Sequence, residues 1–384
     1  MRQALRLPAA LLALAATPLA TAGVLPEDRA DLLYHRYDGG GVVIDGPSLL
    51  VRKKIGEKFS VSANYYIDMV SSASIDVVTT ASPYDEQRDQ YSLAVDYLRG
   101  KSTYSVGYIN SSESDYEANT IFASVSQDLF GDLTTISFSY KRGKNDVFRN
   151  LADQRDPDFA EEMDSRTYGI AVTQVLTRSM IGVFNFDTIT DEGFLNSPYR
   201  SVRYVDPLSL EGTGFSFQAE QYPNTRTSNA GSLRLKYFLP YRASLDGWYR
   251  YYTDSWGIDA HTGEIKYTQP WRKFLIDGSV RYYTQEAADF YSDLFPRRDF
   301  ANFLARDKEL STYTATTLGL GVSYDFTVAR FPWMQKAQAN FRYDHIIVDY
   351  EDFRDVRVSV AVPGTEPLYE LTADVFQVFL SVFF

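Results

Sequence analysis

The sequence predicts an all-β protein, an up-and-down antiparallel transmembrane β-barrel of about 16 strands, with about 14 or about 18 strands as alternatives. Three observations predict this fold. Segments of roughly ten residues with alternating apolar and polar side chains recur from about residue 40 onward. The connections between these segments alternate between short turns and long polar loops. The chain also ends on a strand-like segment, VFQVFLSVFF, at residues 375–384.

The first residues have the layout of a secretory signal. Arg2 and Arg6 precede an apolar stretch, and Ala20-Thr21-Ala22 supplies the small residues of a cleavage site. A buried N-terminal helix is the alternative interpretation. The sequence therefore predicts a signal peptide at residues 1–22, a short periplasmic leader at 23–39 and the barrel at 40–384.

The strands are predicted from a period of two. In FSVSANYYIDM, which starts at Phe59, every odd-numbered residue is apolar or aromatic and most even-numbered residues are polar. The same pattern predicts sixteen strands, at residues 40–45, 48–55, 59–71, 90–98, 103–111, 119–128, 133–142, 166–176, 180–190, 228–239, 243–254, 258–268, 274–285, 312–326, 336–349 and 372–384.

The connections predict how the barrel sits in a membrane. Outer-membrane barrels have tight turns on the periplasmic side and longer loops outside. Aromatic residues beside the short turns, such as Trp271 and Trp333, and tyrosines toward the other strand ends are expected to form interfacial girdles. Their alternative is the core of a soluble β-fold. Long loops are predicted at residues 72–88, 143–165, 190–226 and 285–310, and short turns near 55–58, 99–101, 130–132, 176–179, 240–242 and 269–273.

The last strand is expected to close the barrel, because backbone polar groups in lipid must all be paired within the protein. Its alternate apolar residues and terminal phenylalanine resemble the signal that the outer-membrane assembly machinery reads. That machinery and outer-membrane lipid are therefore the expected partners. The residues of this C-terminal assembly signal are Phe376, Val378, Leu380, Val382 and Phe384.

Composition excludes several classes of protein. The chain has 384 residues, no cysteine and a formal net charge of −12. The lack of cysteine excludes disulfides, thiolate metal sites and cysteine nucleophiles, and the acidic balance argues against a nucleic-acid partner. Beyond the signal no apolar run reaches about 18 residues, so no membrane-spanning helix is predicted.

Charged residues in the strands predict a polar inner face, because a cation on the lipid side near the bilayer midplane costs about 2–4 kcal/mol. Opposite charges on adjacent strands are expected to pair across the wall. The inner face is then either a hydrated passage for small polar solutes or a wall network that only solvates the lumen. The lumen-lining candidates are Arg52, Lys54, Asp68, Asp96, Arg234, Lys236, Asp246, Arg250, Glu264, Lys266, Asp277, Arg281, Asp325, Arg342 and Asp344.

The loop at residues 286–311 is the best candidate for a constriction. It mixes apolar residues that need burial with charges that could line an eyelet, but it could also fold outside as a lid. A second loop, at 190–207, mixes carboxylates and arginines without a metal-binding spacing, and an ordinary solvated loop is favoured there over a cation site. The constriction candidates are Asp289, Asp293, Arg297, Arg298 and Asp299.

Enzymatic chemistry is not predicted. The chain has only three histidines, and the G-x-S-x-G, H-E-x-x-H and phosphate-binding glycine motifs are absent. We therefore expect no catalytic residue, no metal and no cofactor. An outer-membrane hydrolase that uses lipid-facing His261 as a base is a remote alternative.

Several stretches resemble a known family. They include YHRYDGGG at residues 34–41, ITDEGFLNSPYRSVRYVDP at 189–207, WGIDAHT at 256–262 and DFYSDLFPRRDF at 289–300. These resemble the Gram-negative domain-of-unknown-function family thirty-five-seventy over nearly the whole mature chain. The resemblance implies an outer-membrane location and an uncharacterised barrel, without catalytic residues or a known substrate.

Two functions follow as hypotheses. The first is a porin-like channel for small polar solutes, since barrels of about 16 strands leave a water-filled interior unless something plugs them. The second is a structural barrel that holds a periplasmic or surface partner. Genes of the resembling family tend to lie near a flavin-transferring enzyme and small lipoprotein-like proteins, which implies that such a partner could be a redox component. Neither the solute nor the oligomeric state is predicted.

Overall fold

The computed structural model describes residues 23–72, 84–151, 154–209, 212–327, 331 and 333–384. The predicted signal peptide lies outside the described residues. Within them, eighteen strands form, and the only helix is a single 3-10 turn, Lys308–Leu310. No helix in these ranges has both the length and the apolar character needed to cross a membrane.

Sixteen of the described strands form one closed antiparallel barrel, which confirms the predicted fold class. Each pairs with its neighbour in the chain, and β1 pairs with β18. The barrel strands are β1 (Arg29–Gly39), β2 (Val42–Ile55), β3 (Phe59–Ser72), β4 (Tyr84–Arg99), β5 (Ser102–Ser112), β6 (Tyr116–Leu129), β7 (Thr134–Leu151), β8 (Gln154–Thr177), β9 (Met180–Gly193), β12 (Thr225–Phe238), β13 (Ser244–Asp254), β14 (Asp259–Trp271), β15 (Phe274–Gln285), β16 (Tyr313–Phe326), β17 (Lys336–Arg354) and β18 (Leu368–Phe383). A separate hairpin, β10 (Ser201–Val205) and β11 (Phe215–Ala219), lies between β9 and β12.

The terminal strand closes the barrel as the sequence predicted. In its register with β1, Leu380 lies opposite Leu32 and Val378 opposite Tyr34, and all four side chains are exposed on the outer face. Val382 and Phe384 continue this outward series at the end of the chain. The backbone groups of β18 pair with β17 on its other side, so no strand edge is left open.

The predicted leader is wrong for residues 29–39, which form β1. The predicted strands 40–45 and 48–55 are one strand, β2, so the total of sixteen is kept although the first two assignments differ. Pro47 lies between the two predicted strands. It lies within β2, where the pairing of β2 with β3 is interrupted between Asp45 and Ser48, because proline has no N–H to donate.

The two ends of the barrel differ, and we name them the turn end and the loop end. Turn-end connections are short, at residues 56–58, 100–101, 130–133, 178–179, 239–243 and 272–273. Gly56 and Gly100 adopt positive φ angles of 65° and 61° there, a conformation that favours glycine. At the loop end the predicted alternation holds only in part, since residues 40–41, 113–115 and 255–258 are also short connections.

The predicted loop at 143–165 is wrong. These residues continue β7 and β8, which have 18 and 24 residues. The two strands form a hairpin that is longer than is needed to cross a membrane, for which about 9–11 residues per strand suffice. Two contacts support this hairpin from the side. The backbone N of Asn150 donates to the Tyr199 hydroxyl at 2.7 Å, and the backbone N of Phe148 donates to the Asp115 carbonyl at 2.7 Å.

The outer surface carries the apolar residues. Val106 is 61% exposed and Ile265 63%, and Phe130, Tyr241 and Trp333 at the turn end are each more than half exposed. These turn-end aromatics match the predicted girdle. Of the tyrosine pairs predicted for the other girdle, one member of each, namely Tyr66, Tyr252 and Tyr283, faces inward instead, because neighbouring residues of a strand point to opposite faces.

Candidate functional site: the lumen and its cap

The structure places all fifteen lumen-lining candidates on the inner face, opposite the exposed apolar residues. Several pair across the wall: Arg52 Nη1 lies 2.5 Å from Asp96 Oδ2, Lys266 Nζ lies 2.9 Å from Asp277 Oδ2, and Arg234 Nε lies 3.7 Å from Asp246 Oδ1. The Arg234–Asp246 pair joins adjacent strands as the sequence analysis expected. Lys54 and Asp325 lie on the same face near the turn end, where Asp325 pairs with Lys336.

One ion-pair network extends from β14 to β17, because Asp277 binds Lys266 on β14 as well as Arg342 on β17. Arg342 on β17 binds Asp344 on its own strand at 2.7 Å and reaches Asp277 on β15 at 3.3 Å. Strand β16 lies between them and contributes Gly319 and Gly321 at these positions. A Cβ at Gly319 would collide with the Asp344 carboxylate, and one at Gly321 would collide with that of Asp277. The two glycines therefore make room for the network.

An arginine-rich patch lies on β12–β15. Register pairs Arg234 with Trp248, Trp248 with Glu264, and Glu264 with Arg281, so these four residues lie at one level of the wall. The guanidinium groups of Arg234 and Arg281 each lie 5.7 Å from the Trp248 ring. Arg250 is one step nearer the loop end on the same face. Within the described part of the chain, neither Arg250 nor Arg281 forms an ion pair.

The wall formed by β3–β7 is different, because hydroxyl groups dominate it. Ser126 and Ser137 hydrogen-bond across β6 and β7 at 2.6 Å, and Ser105 donates to Asp96 at 2.6 Å. Inward cations are more numerous on β12–β15, which carry Arg234, Lys236, Arg250, Lys266 and Arg281, than on β3–β7, which carry Arg88 and Lys141. The inward serines are Ser60, Ser62, Ser92, Ser105, Ser124, Ser126, Ser137 and Ser139.

A buried cluster on β1, β3 and β4 surrounds Asp68. His35 Nε2 lies 2.7 Å from Asp68 Oδ1 and 3.1 Å from the Tyr66 hydroxyl, and the His35 and Tyr66 rings stack at 5.1 Å. Arg88 forms an ion pair with the other oxygen of Asp68. Asp68 was a predicted lumen residue, but its partners were not predicted, because β1 was assigned to the leader.

Three connections at the loop end fold together into what we name the cap: residues 194–224, 286–312 and 355–367. Its backbone is partly sheet-like. Phe295 donates to the Arg203 carbonyl and accepts from Val205, both at 2.9 Å, and Leu304 exchanges two hydrogen bonds with Gln221 at 2.8 and 3.0 Å. These bonds join the first two segments, which are far apart in the sequence.

Arg203 lies at the centre of the cap and is 0% exposed. Its guanidinium binds both Glu366 oxygens, at 2.6 and 3.0 Å, and donates from Nε to the Asp293 carbonyl at 2.9 Å. It also forms an ion pair with the Asp293 carboxylate. Arg306 binds the remaining carboxylate oxygen of Asp293 at 2.9 Å. All three cap segments meet at this cluster, which uses the bidentate geometry that makes arginine–carboxylate pairs strong.

The electrostatics of the cluster favour its charged forms. Burial alone would raise the pKa of Glu366, but its hydrogen bond to Arg203 and the positive charge of that group outweigh burial, so its pKa lies below the ordinary value. Burial acts to lower the pKa of Arg203, but Glu366 and Asp293 outweigh it and raise that pKa. Both partners therefore stay ionised at neutral pH.

The cap packs against the rim of the barrel at the loop end. Inward-facing Tyr252 packs against a cluster that contains Trp256 and Ala288, with Tyr291 packed beside it, and the Tyr291 hydroxyl donates to the Asp352 carbonyl on β17 at 3.4 Å. Tyr252 and Asp352 both lie two residues from the end of their strands, so these contacts are common to both arrangements predicted for residues 286–311, an inward fold and an outer lid.

The five constriction candidates are not brought together. Asp293 is buried in the cap cluster, where its carboxylate forms ion pairs with Arg203 and Arg306. Its predicted place in an eyelet is therefore wrong. Asp289 is exposed beside the turn at Gly257. The other three, Arg297, Arg298 and Asp299, lie exposed at the end of the segment.

The predicted solvated loop at 190–207 is also wrong in part, because Val202 and Arg203 are completely buried. Sequence reasoning noted Arg203 but not its partners, and Glu366 and Arg306 were missed. A weak signal was available: an arginine next to Val202 in a strand-like SVRYV segment favours burial with a carboxylate partner.

The structure brings no catalytic constellation together around His261. Its side chain is exposed on the outer face, as predicted, and its Nδ1 lies 2.7 Å from the Tyr249 hydroxyl. Among the described residues, no group of three or more histidine, aspartate or glutamate side chains is placed to hold a metal ion.

Solved structures with a similar fold are outer-membrane barrels. A bacterial polysaccharide outer membrane secretin aligns with a TM-score of 0.50 and 9% identity, over 94% of this chain and 100% of that chain. The CymD monoaromatic hydrocarbon channel aligns with a TM-score of 0.43 and 9% identity, over 94% and 89%. OccAB3 from Acinetobacter baumannii aligns with a TM-score of 0.38 and 8% identity, over 92% and 98%. Of these three, the secretin alone reaches a TM-score of 0.5, and at 9% identity its likeness concerns the fold alone.

Sequence comparison gives the family. No protein of curated function shows significant similarity to the chain. The profile of one family, described as "Protein of unknown function (DUF3570)", matches residues 75–345, which is well over half of the sequence. The chain, an outer-membrane-type barrel of sixteen strands, therefore belongs to the DUF3570 family.

Proposed function

We propose that this protein is an outer-membrane channel of porin type for small polar solutes, with its loop end outside and its turn end in the periplasm. The observation that carries the proposal is an inner face that is polar or charged around the whole closed barrel. A purely structural barrel does not need inward arginines that form no ion pair within the described residues, such as Arg250 and Arg281, because such groups cost free energy unless water or a solute solvates them.

The cap sets the access to this channel. It is held by buried ion pairs and by backbone hydrogen bonds, and it lies against the inward side chains of the loop end. A connection that packs against the rim of the mouth narrows it. Solutes then pass between the cap and the hydroxyl-rich wall of β3–β7, which none of the three cap segments adjoins in the chain.

The uneven charge of the lumen favours anions. The patch on β12–β15 carries Arg234, Arg250 and Arg281 around Trp248, and the β3–β7 wall opposes it mainly with neutral hydroxyl groups. A positive wall raises the local concentration of anions in a narrow aqueous space. We therefore expect a modest anion preference and no catalytic step.

The test is conductance of the refolded protein in planar bilayers under a potassium chloride gradient. The expected results are stepwise channels and a reversal potential of the sign for chloride preference. Arg250→Gln with Arg281→Gln should shift the reversal potential toward cations. Arg178→Gln, an exposed arginine in a turn-end connection, is the matched control and should leave it unchanged.

Conductance at the noise level, from protein whose fold is verified by its heat-dependent mobility in gels, would overturn the proposal. If, in addition, the protein purified from native membranes carried a second protein in fixed ratio, the scaffold hypothesis would take its place. Channels without anion preference would leave the channel assignment standing and remove only the role of the arginine patch.

A further inference from the structure

The outer face of β3–β7 contains an apolar hollow of about 540 Å³. Its floor is Ala123, which lies between Val106 on β5 and Tyr140 on β7 in the strand register. The single methyl group of Ala123 leaves a gap between two larger side chains. Leu93 and Ile121 complete the border, so the hollow offers hydrocarbon contacts on all sides.

An aromatic pair fixes the level of this hollow relative to the membrane. Tyr140 lies directly opposite Tyr168 on β8, with the two rings 5.2 Å apart. Tyrosines on the outer face toward the loop end mark the boundary between acyl chains and headgroups. The hollow therefore lies at the level of acyl chains in the leaflet at the loop end.

Cations lie just beyond that boundary. Arg142 is directly opposite Arg166 on β8 and directly opposite Ile121, which borders the hollow, on β6. Asp164 lies 3.6 Å from Arg142 and 3.8 Å from Arg166, so it holds the two guanidinium groups together without neutralising both. Lys144 adds a third, exposed cation on the same face. The three cations and one carboxylate leave a local excess of positive charge.

On four other strand pairs, a tyrosine hydroxyl near the loop end donates to a carboxylate on the neighbouring strand. Two of these carboxylates also contact a single basic side chain, Asp45 with Arg36 at 3.8 Å and Asp374 with His345 at 2.8 Å, so none of the four pairs presents two adjacent arginines as β7 and β8 do. The next row on β7 and β8, Asp146 opposite Glu162, is also acidic and limits the positive patch to one level. The tyrosine–carboxylate pairs in the described residues are Tyr34 with Asp45, Tyr65 with Asp89, Tyr251 with Asp259 and Tyr343 with Asp374.

We infer that the outer face of β5–β8 binds one multiply acylated lipid with a phosphorylated headgroup, of the lipid A type, in the leaflet at the loop end. An acyl chain occupies the hollow over Ala123. The phosphate binds Arg142, Arg166 and Lys144, where charge-assisted hydrogen bonds to guanidinium groups are strong. One guanidinium nitrogen of Arg142, Nε, is buried and has no hydrogen-bond partner among the described residues.

The experiment is lipid titration of the delipidated full chain in detergent, with bound lipid counted by native mass spectrometry. Purified lipid A should bind preferentially at one lipid molecule per protein chain. The double variant Arg142→Gln with Arg166→Gln should weaken binding by about ten-fold or more, since it removes two charged hydrogen-bonding groups. Arg36→Gln is the matched control, because Arg36 is an outward arginine at the loop end that already pairs with Asp38 at 3.1 Å.

Two further arms keep the test decisive if the double variant does not fold. In the first arm, Ala123→Phe fills the hollow and should also weaken the binding of lipid A. In the second arm, lipid A without its phosphates is added to the unmodified chain. It should bind about as weakly as intact lipid A binds to the double variant. Equal binding with and without phosphates would overturn the inference, as would an unchanged affinity in Ala123→Phe. Phosphatidylglycerol that binds as tightly as lipid A would overturn the assignment of the lipid class.

Discussion

Replacement of Arg203 by methionine is the sharpest perturbation that the fold offers. Methionine keeps most of the length and apolar contact of the side chain but removes the charge. Glu366, which is almost completely buried, would then keep only backbone hydrogen bonds, including that from the N of Gly364 at 2.9 Å, while Asp293 would keep Arg306. One buried carboxylate is thereby left without a charged partner.

The magnitude follows from that geometry. Breaking a buried ion pair by removal of one partner costs about 3–5 kcal/mol. The loss falls on the association of the three cap segments and not on the barrel, whose ladder of backbone hydrogen bonds is untouched. At about 1.4 kcal/mol for each factor of ten, the equilibrium for local opening of the cap shifts by about a hundred-fold to several thousand-fold.

Hydrogen exchange followed by mass spectrometry measures this opening. The amides of Phe295 and Leu304, which donate to Arg203 and Gln221, should lose protection in Arg203→Met, while peptides from the barrel strands should not change. Arg297→Met, an exposed arginine of the same segment, serves as the control and should cost no more than about 0.5 kcal/mol. Unchanged protection of Phe295 and Leu304 in Arg203→Met would refute the assignment of Arg203 as the link between the cap segments.

Three further predictions concern other parts of the molecule. Gly319→Val should destabilise the barrel by about 1–3 kcal/mol, because its side chain collides with the Asp344 carboxylate, whereas the Cβ of Gly263→Ala meets open space; the temperature at which the folded gel band disappears measures both. Since the pKa of Glu366 is lowered in the fold, the cap should keep its full stability above the ordinary glutamate pKa of about 4.3 and lose it as the pH falls through the lowered value; amide exchange should show this in the parent chain but not in Glu366→Gln. Neither the parent nor His261→Ala should release fatty acids from phospholipid vesicles, and release that depends on His261 would restore the hydrolase hypothesis.

Much of the barrel is predictable because a strand has a side-chain period of two. Once Leu233 and Leu235 are assigned to lipid, Arg234 must face inward, and a shift by one residue would bring it into hydrocarbon. Its partner Asp246 follows from the short connection between β12 and β13. Local rules therefore suffice where contacts join neighbouring strands.

The same rules do not predict contacts between residues on non-adjacent strands or between residues far apart in the sequence. Arg342 reaches Asp277 over the glycines of β16, and Arg203 binds Glu366, which is 163 residues away in the sequence. No local pattern contains either pair. Strand β1 was missed for a different reason: its inner face carries Leu33 and Tyr37, so the alternation of apolar and polar residues that reveals the other strands is blurred.

The long hairpin of β7 and β8 has a consequence at the cell surface. From Arg142, at the proposed headgroup level, to Leu151 the strand continues for nine more residues, or about 30 Å of paired ribbon at roughly 3.3 Å per residue. Such a projection, braced at its side by Tyr199, would stand above the inner sugars of the envelope. With the loop end outside, as proposed, a peptide tag inserted between Leu151 and Gln154 should be displayed on intact cells.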